Sequence, residues 1–281
     1  MPWGNPPCIE APRAVLGGLL ALGLAGCAAL SPEAPPSQPA SVARPAFEVF
    51  APDRRVRVQA GSAEAGLAYA ARVADLLDAA VARVEAVHGL PFLKPPRIDL
   101  CATPDCFGDL VPGQGFVAAV LPGGRLVLSP RLFGPEAARL PAILRHELSH
   151  LHLGQRLGHY TPWLPVWFHE GLATLVADGG GAEYASDLEA AGARNEGRRV
   201  DFTRLDVPGR RHRAADFNLD IHTFYRQSWR FVEYLQRRDP RAFAAMLGAI
   251  QNQVDITISV ADAYNAGLDR LEAEFMDAAG R

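Results

Sequence analysis

Two histidines four residues apart, His146 and His150, could hold a metal ion. They stand in the pattern H-E-x-x-H, within segment 141–153, whose apolar periodicity predicts an α-helix. Positions four apart differ by only about 40° around a helix, so both imidazoles can reach one ion from one face. Glu147 lies beside the first histidine, where its carboxylate could take a proton from a water molecule at the metal.

A carboxylate in the next helical segment could complete such a site. Glu170 follows His150 by twenty residues, a spacing that suits a helix, a turn and a returning helix. Two histidines and one carboxylate leave the fourth position of a tetrahedral zinc ion open, which is the catalytic arrangement. Two alternatives stay open, because His169 could be the ligand instead, and Glu170 could be an acid favoured only by the helix dipole.

The H-E-x-x-H pattern by itself also has a chance explanation. From average composition, a chain of this length contains the pattern in about one protein in a hundred. Two surface histidines without a metal are therefore the alternative, and zinc becomes the better interpretation because Glu170 is present as well. The small residues Gly171 and Ala173 would allow the second helix to lie close to the first.

The two motifs together resemble those of the gluzincin metallopeptidases, the thermolysin-like or peptidase MA-like group. In that family, H-E-x-x-H on one helix is completed by a glutamate in a W-x-x-E-G-x-A segment, which residues 167–173 match. The resemblance covers roughly residues 97–235 and implies an α+β, zincin-like fold and peptide hydrolysis with one Zn²⁺. It implies zinc ligands His146, His150 and Glu170 and the catalytic base Glu147.

The chain departs from related patterns at defined positions. Leu153 and Arg156 stand where H-E-x-x-H-x-x-G-x-x-H peptidases have glycine and histidine, so that other zinc pattern is not met. Several gluzincins place an aspartate, hydrogen-bonded to a ligand histidine, where this chain has Thr174. The partner of the histidines is therefore left open, and Asp178 lies one helical turn further along.

The resemblance also implies how a substrate would be held. Residues 125–129, just before the first motif, correspond to the edge strand on which these enzymes hold an extended peptide or protein substrate. Tyr225 lies in a Tyr-x-x-Ser helix like that of peptidase MA-like proteins and could donate to the oxyanion of the attacked carbonyl. The alternative for Tyr225 is a buried aromatic residue, and His222 is a weaker candidate for the same role.

The N-terminus resembles an export signal of a bacterial lipoprotein. A short apolar run, residues 15–30, follows Arg13 and is too short and too rich in glycine and alanine to span a bilayer comfortably. It contains the lipobox-like L-A-G-C that ends at Cys27, which predicts a signal peptide over 1–26 and lipidation of Cys27. Ala28 favours the outer membrane, facing the periplasm; an ordinary signal peptide or uncleaved anchor is the alternative.

The rest of the chain divides by composition. Residues 27–46 are rich in proline and serine and predict a flexible tether. Residues 47–281 form the expected folded unit, with an α/β lobe over about 47–155 and a helical lobe over about 156–281.

Two cysteines remain in the folded part, Cys101 and Cys106. An exported chain meets an oxidising compartment, and the four intervening residues can close a small loop, so we expect a disulfide. Free thiols and half of a zinc knuckle are the alternatives.

The elements that must position these groups follow from periodicity and turn residues. We expect strands within 47–58 and at 97–101, a hairpin of 115–120 and 125–129, and helices over 63–87, 141–153, 165–177, 182–193, 220–237, 240–251 and 260–279. His152 and His159 are expected at the surface.

Composition limits the class of protein. The chain of 281 residues is 49% hydrophobic with a formal net charge of -3, which excludes a disordered chain and argues against a basic nucleic-acid-binding protein. Arginines cluster in one region, expected to be a solvated face, with contact to anionic lipid or a substrate carboxylate as the alternative. They are Arg194, Arg198, Arg199, Arg210, Arg211 and Arg213.

Three functions are compatible with these features. A lipid-anchored zinc metallopeptidase is the first, because a purely structural zinc site has no need of Glu147. A non-catalytic zinc-binding scaffold and a chaperone-like lipoprotein that uses the same groove are the alternatives. The sequence does not indicate the substrate or an oligomeric state.

Overall fold

The computed structural model describes residues 46–51, 54–59, 63–111, 117–121 and 124–279. The predicted signal peptide, Cys27 and nearly all of the predicted tether lie outside these ranges. The strands are β1 (Ala46–Ala51), β2 (Arg54–Gln59), β3 (Arg97–Cys101), β4 (Ala118–Leu121) and β5 (Arg125–Leu128). The helices are α1 (Ala63–His88), α2 (Pro104–Leu110), α3 (Leu140–Leu157), α4 (Val166–Val176), α5 (Asp187–Asn195), α6 (Ile221–Arg238), α7 (Pro240–Gln251), α8 (Ile256–Tyr264) and α9 (Leu268–Ala279). No helix in the described ranges is both long and apolar enough to cross a bilayer.

The strands form one small mixed sheet within a mostly helical architecture, which is compatible with the predicted α+β class. Their order is β1-β2-β3-β5-β4, with β2, β3 and β5 parallel and the two outer strands antiparallel to their neighbours. Helix α1 connects the parallel strands β2 and β3, which is the usual crossover connection. The presence of this sheet among the helices is compatible with the α+β class, while the zincin-like fold stays a prediction.

The prediction that the strand at residues 125–129 is the edge strand is wrong. Strand β5 lies between β3 and β4, and β4 is the outer strand on this side of the described sheet. Leu126 and Leu128 are buried in the cluster with α1 and α3, whereas Val127 is buried on the opposite face beside α2. An apolar run buried on both faces is typical of an internal strand.

Helix α3 links the two large hydrophobic clusters of the molecule. Leu144, Leu148 and Leu151 are buried against the sheet and α1. Leu153 and Leu157, one to two turns later, belong instead to the cluster formed by α4 and α6 to α9. The helix that carries the H-E-x-x-H pattern is therefore fixed at both ends by separate cores.

The small residue Gly171 serves a different contact from the one predicted. A Cβ atom at this position would lie 2.6 Å from the Ser228 carbonyl oxygen and 2.8 Å from Val232 Cγ2, both on α6. Gly171 therefore permits the close approach of α4 to α6, and the expectation that it faces α3 is wrong.

Two helix boundaries differ from the prediction because of capping residues. The helix expected over 182–193 begins at Asp187, where Ser186 and Glu189 form a reciprocal capping box. The segment expected as one helix over 260–279 is interrupted at Asn265, whose φ of +49° ends α8. The other predicted helices and strands are present within the described ranges; of the strand expected over 115–120, residues 115 and 116 lie outside them, and β4 covers Ala118–Leu121.

The expected disulfide is confirmed, and its loop contains a helix that was not predicted. Cys101 at the end of β3 is bonded to Cys106 in α2, with the Cα atoms 5.5 Å apart. Thr103 caps this short helix by accepting a hydrogen bond from the Cys106 backbone N–H. The disulfide therefore fastens α2 to the end of a central strand.

Replacement of Gly171 by alanine tests the packing of α4 against α6. We expect Gly171→Ala to lower the free energy of unfolding by about 2–3 kcal/mol, because backbone atoms of α6 must move. Gly248→Ala is the matched control: a Cβ there meets no atom within 4 Å, so a gain of about 0.5–1 kcal/mol is expected. Urea unfolding measures both changes, and equal effects would contradict this packing.

Candidate metal centre

Three ligand atoms converge at the interface of α3 and α4. Nε2 of His146 lies 3.1 Å from Nε2 of His150, and Oε2 of Glu170 lies 3.3 Å and 3.4 Å from these two nitrogens. Zinc bonds of about 2.0–2.1 Å in a tetrahedron imply separations of about 3.3–3.4 Å between ligand atoms. The group therefore fits one metal ion, as predicted for these three residues.

The start of α4 is held in place by a buried carboxylate. The Val166 backbone N–H donates to Oδ2 of Asp206 at 2.9 Å, which satisfies one of the free donors of the first turn. Asp206 also accepts from Arg211 Nε at 2.9 Å and from the backbone N–H of His212 at 2.9 Å. These contacts fix the helix turn that presents Glu170.

The hydrogen-bond partner of the first ligand histidine is a backbone carbonyl. Nδ1–H of His146 donates to the Gly180 oxygen at 2.9 Å, so its Nε2 lone pair is available to a metal. Thr174 is buried, and Asp178 pairs with Arg83 at 2.8 Å and Arg145 at 3.3 Å. The Gly180 carbonyl, and neither Thr174 nor Asp178, is therefore the partner of His146.

A glycine turn after α4 makes this carbonyl available. Gly179 and Gly181 have φ values of +97° and +96°, which favour glycine. A Cβ atom on Gly181 would lie 2.8 Å from Cε1 of His146, so the turn also needs glycine for space. This turn was not predicted, although three consecutive glycines follow the helical segment in the chain.

His169 contacts the site but is not one of the converging ligands. Its ring stacks on that of His150, with centroids 4.1 Å apart. Burial, together with the charge of His150, lowers the pKa of His169 well below its ordinary value, so the ring is neutral. Of the two neighbouring candidates, Glu170 supplies the oxygen that converges with the histidine nitrogens.

The electrostatics of the site hold one carboxylate ionised and make the other a stronger base. Burial opposes the charge of Glu170, but His150 and His146 hold its pKa well below the ordinary value. Burial raises the pKa of Glu147, and the two histidines only partly offset this effect. The arrangement therefore combines an anionic ligand with a nearby proton acceptor.

Tyr225 reaches the site from α6. Its ring stacks on that of His146 with centroids 5.9 Å apart. Burial and the charges of Glu170 and Glu147 raise the pKa of Tyr225 well above its ordinary value, so the hydroxyl stays protonated. His222 instead donates from Nδ1 to the Gly181 oxygen at 2.8 Å.

The prediction that His152 lies at the surface is wrong, whereas His159 is exposed as expected. Nε2 of His152 lies 2.8 Å from the Leu90 carbonyl, which can only accept, so its Nδ1 must accept from Nδ1–H of His88 at 2.9 Å. Nε2 of His88 then accepts from the Ser149 hydroxyl at 2.9 Å. This buried network joins the end of α1 to α3.

A cavity of about 410 Å³ adjoins the site on the side of α4 and α6. It is lined by Val166, Glu170, Arg211, Arg213, Ala214, Ala215, Ile221, Phe224 and Tyr225. A metal ligand and the site tyrosine therefore border a space that could take part of a substrate.

No protein-family model matches the chain, and a search of curated proteins finds no significant match.

Separate alanine variants of the two stacked histidines test the ligand set. We expect wild-type protein to bind one zinc ion. We expect His150→Ala to weaken this binding by more than about 100-fold, because a direct ligand is lost. His169→Ala is the control and should keep zinc binding within about tenfold. Competition with a chromophoric chelator measures both, and the reverse order of effects would make His169 the ligand.

Proposed function

We propose that this protein is a zinc-dependent peptidase of the bacterial cell envelope. The observation that carries the proposal is the convergence of two imidazole nitrogens and one carboxylate oxygen at 3.1–3.4 Å. Glu147 occupies the position next to the first ligand on α3, and Tyr225 lies against the same histidine. A purely structural site would need neither of these two groups.

The donor set suits zinc. Two imidazole nitrogens and one carboxylate oxygen are ligands that Zn²⁺ accepts in catalytic sites with a fourth position left for water or substrate. When bound, the ion would polarise a substrate carbonyl and lower the pKa of water toward neutrality.

Glu147 is the proposed base and proton carrier. The raised pKa of its carboxyl group makes it a better acceptor than an exposed glutamate at neutral pH. It takes a proton from the water that attacks the scissile carbonyl carbon. It then donates this proton to the amide nitrogen, which leaves as an amine when the C–N bond breaks.

Tyr225 is the proposed donor to the oxyanion that forms during attack. Its raised pKa keeps the O–H intact, so the group can donate a hydrogen bond where negative charge develops. The stacking of its ring on His146 fixes the direction from which it reaches the site.

An extended peptide is the proposed substrate, and β4 is the strand to which it would add. Ala118–Leu121 pairs with β5 on one side and forms the outer strand of the described sheet there. Main-chain pairing to such an edge gives affinity with little dependence on side chains. We further propose attachment to the outer membrane through lipid on Cys27, facing the periplasm.

Replacement of the proposed base tests catalysis apart from metal binding. We expect Glu147→Gln to lower kcat for a general peptide substrate by at least about 100-fold while one zinc ion stays bound. Glu196→Gln, an exposed carboxylate paired with Arg198, is the control and should keep full activity. Peptide binding without cleavage by wild-type protein would instead favour the non-catalytic scaffold.

Removal of the tyrosine hydroxyl tests the proposed oxyanion donor. We expect Tyr225→Phe to lower kcat by about 100-fold or more, with little change in KM and in zinc content. Tyr160→Phe, at an exposed tyrosine, is the control and should behave as wild type. Unchanged kcat in Tyr225→Phe would restrict this residue to packing.

A further inference from the structure

Two arginines line the cavity beside the candidate metal centre, and one of them is fully engaged. Arg211 donates from Nε to the buried Asp206 carboxylate at 2.9 Å and from NH2 to the Leu164 carbonyl at 3.2 Å. Its charge is therefore matched inside the protein, and its role is to hold the start of α4.

Arg213 is the second arginine that lines this cavity. It is exposed, and within the described residues its guanidinium has no ion-pair partner. Its backbone N–H donates to the Asp216 carboxylate at 2.8 Å, and its carbonyl accepts from the Asp216 backbone N–H at 2.9 Å. The intervening His212 is buried on Asp206, with Nδ1 at 2.8 Å from Oδ1. Because His212 is anchored inward, the chain presents Arg213 to the cavity.

The rest of the cavity lining contains few other charged groups. Most of the lining is apolar, as at Val166, Ala214 and Phe224. Glu170 is the acidic residue of the lining, and its Oε2 lies 3.3–3.4 Å from the two histidine nitrogens, on the side of the candidate metal centre. A substrate group that enters this space therefore meets an apolar wall with one positive end.

We propose that Arg213 is a specificity-determining residue that pairs with a carboxylate of the substrate. The carboxylate is either the side chain of an aspartate or glutamate near the scissile bond or the free C-terminus of the peptide. Guanidinium and carboxylate match in a planar, bidentate geometry, which is stronger than a neutral hydrogen bond. The inference rests on the proposed peptidase function, since it names the substrate class of that site.

Arg213 lines the same cavity as two groups of the candidate site, Tyr225 and Glu170. A substrate carboxylate bound at Arg213 would therefore lie on the Tyr225 side of the metal ligands, near the group proposed to contact the scissile carbonyl. The preferred acidic group of the substrate would therefore lie close to the cleaved bond.

The test is a binding measurement that needs no turnover. Zinc-loaded Glu147→Gln protein is titrated with acetylated hexapeptides in which glutamate or glutamine is scanned through the positions, each as a C-terminal acid and amide. We expect one acidic form, at one position or at the C-terminus, to bind about 10–100-fold more tightly than its neutral counterpart. Adding Arg213→Gln should abolish that preference, whereas Arg210→Gln, which removes an exposed arginine outside the cavity, should keep it.

The outcomes separate this inference from the proposed function. Equal binding of acidic and neutral peptides, or a preference that survives Arg213→Gln, overturns the role of Arg213. A preference that follows Arg213 while wild-type protein cleaves none of the peptides supports the carboxylate site and counts against peptidase activity. Tighter binding of a glutamate peptide than of its glutamine counterpart identifies a side-chain carboxylate, and tighter binding of the C-terminal acid than of the amide identifies the free C-terminus.

Discussion

The approach of the Glu170 carboxylate to two imidazole nitrogens is the interaction on which the candidate site depends. At 3.1 Å, the Nε2 lone pairs of His146 and His150 repel each other unless a proton or a cation lies between them. The carboxylate at 3.3–3.4 Å supplies the negative charge that makes a cation favourable there. This balance requires α3 and α4 to be placed to within a few tenths of an ångström.

The fold provides this placement by fixing each helix through independent contacts. Helix α3 is anchored in two hydrophobic clusters, one around the sheet and one in the helical region. Helix α4 is held at its start by Asp206 and along its length by the close contact of Gly171 with α6. Because α6 also carries Tyr225, the same contact sets the distance between the ligands and the proposed oxyanion donor.

Two successive turns of α3 carry polar side chains on two sides of the helix, in different environments. The ligand histidines face α4, whereas Ser149 and His152 take part in the buried network with His88. Each ring nitrogen of His88 and His152 either donates or accepts one hydrogen bond, so both histidines can be neutral and still have all their hydrogen-bond partners. Burial holds the pKa of His88 well below its ordinary value, which agrees with this neutral state. The network thus orients α3 without competing for the metal.

Sequence patterns predicted the converging group of His146, His150 and Glu170, because these residues lie on two helices whose periodicity and spacing are local properties. They left His169 as an alternative to Glu170, and the packing of the two helices was needed to choose between these neighbours. The same kind of local pattern predicted most helices and strands, and the disulfide. The tertiary structure was needed to show that β5 is internal, because β5 pairs with the distant strand β3 as well as with its hairpin partner β4. It also decided the partner of His146, since a backbone carbonyl such as that of Gly180 has no side-chain signature. His152 and Gly171 were misplaced for the same physical reason: a residue's face on a helix is local, but what covers that face is set by the packing of remote elements.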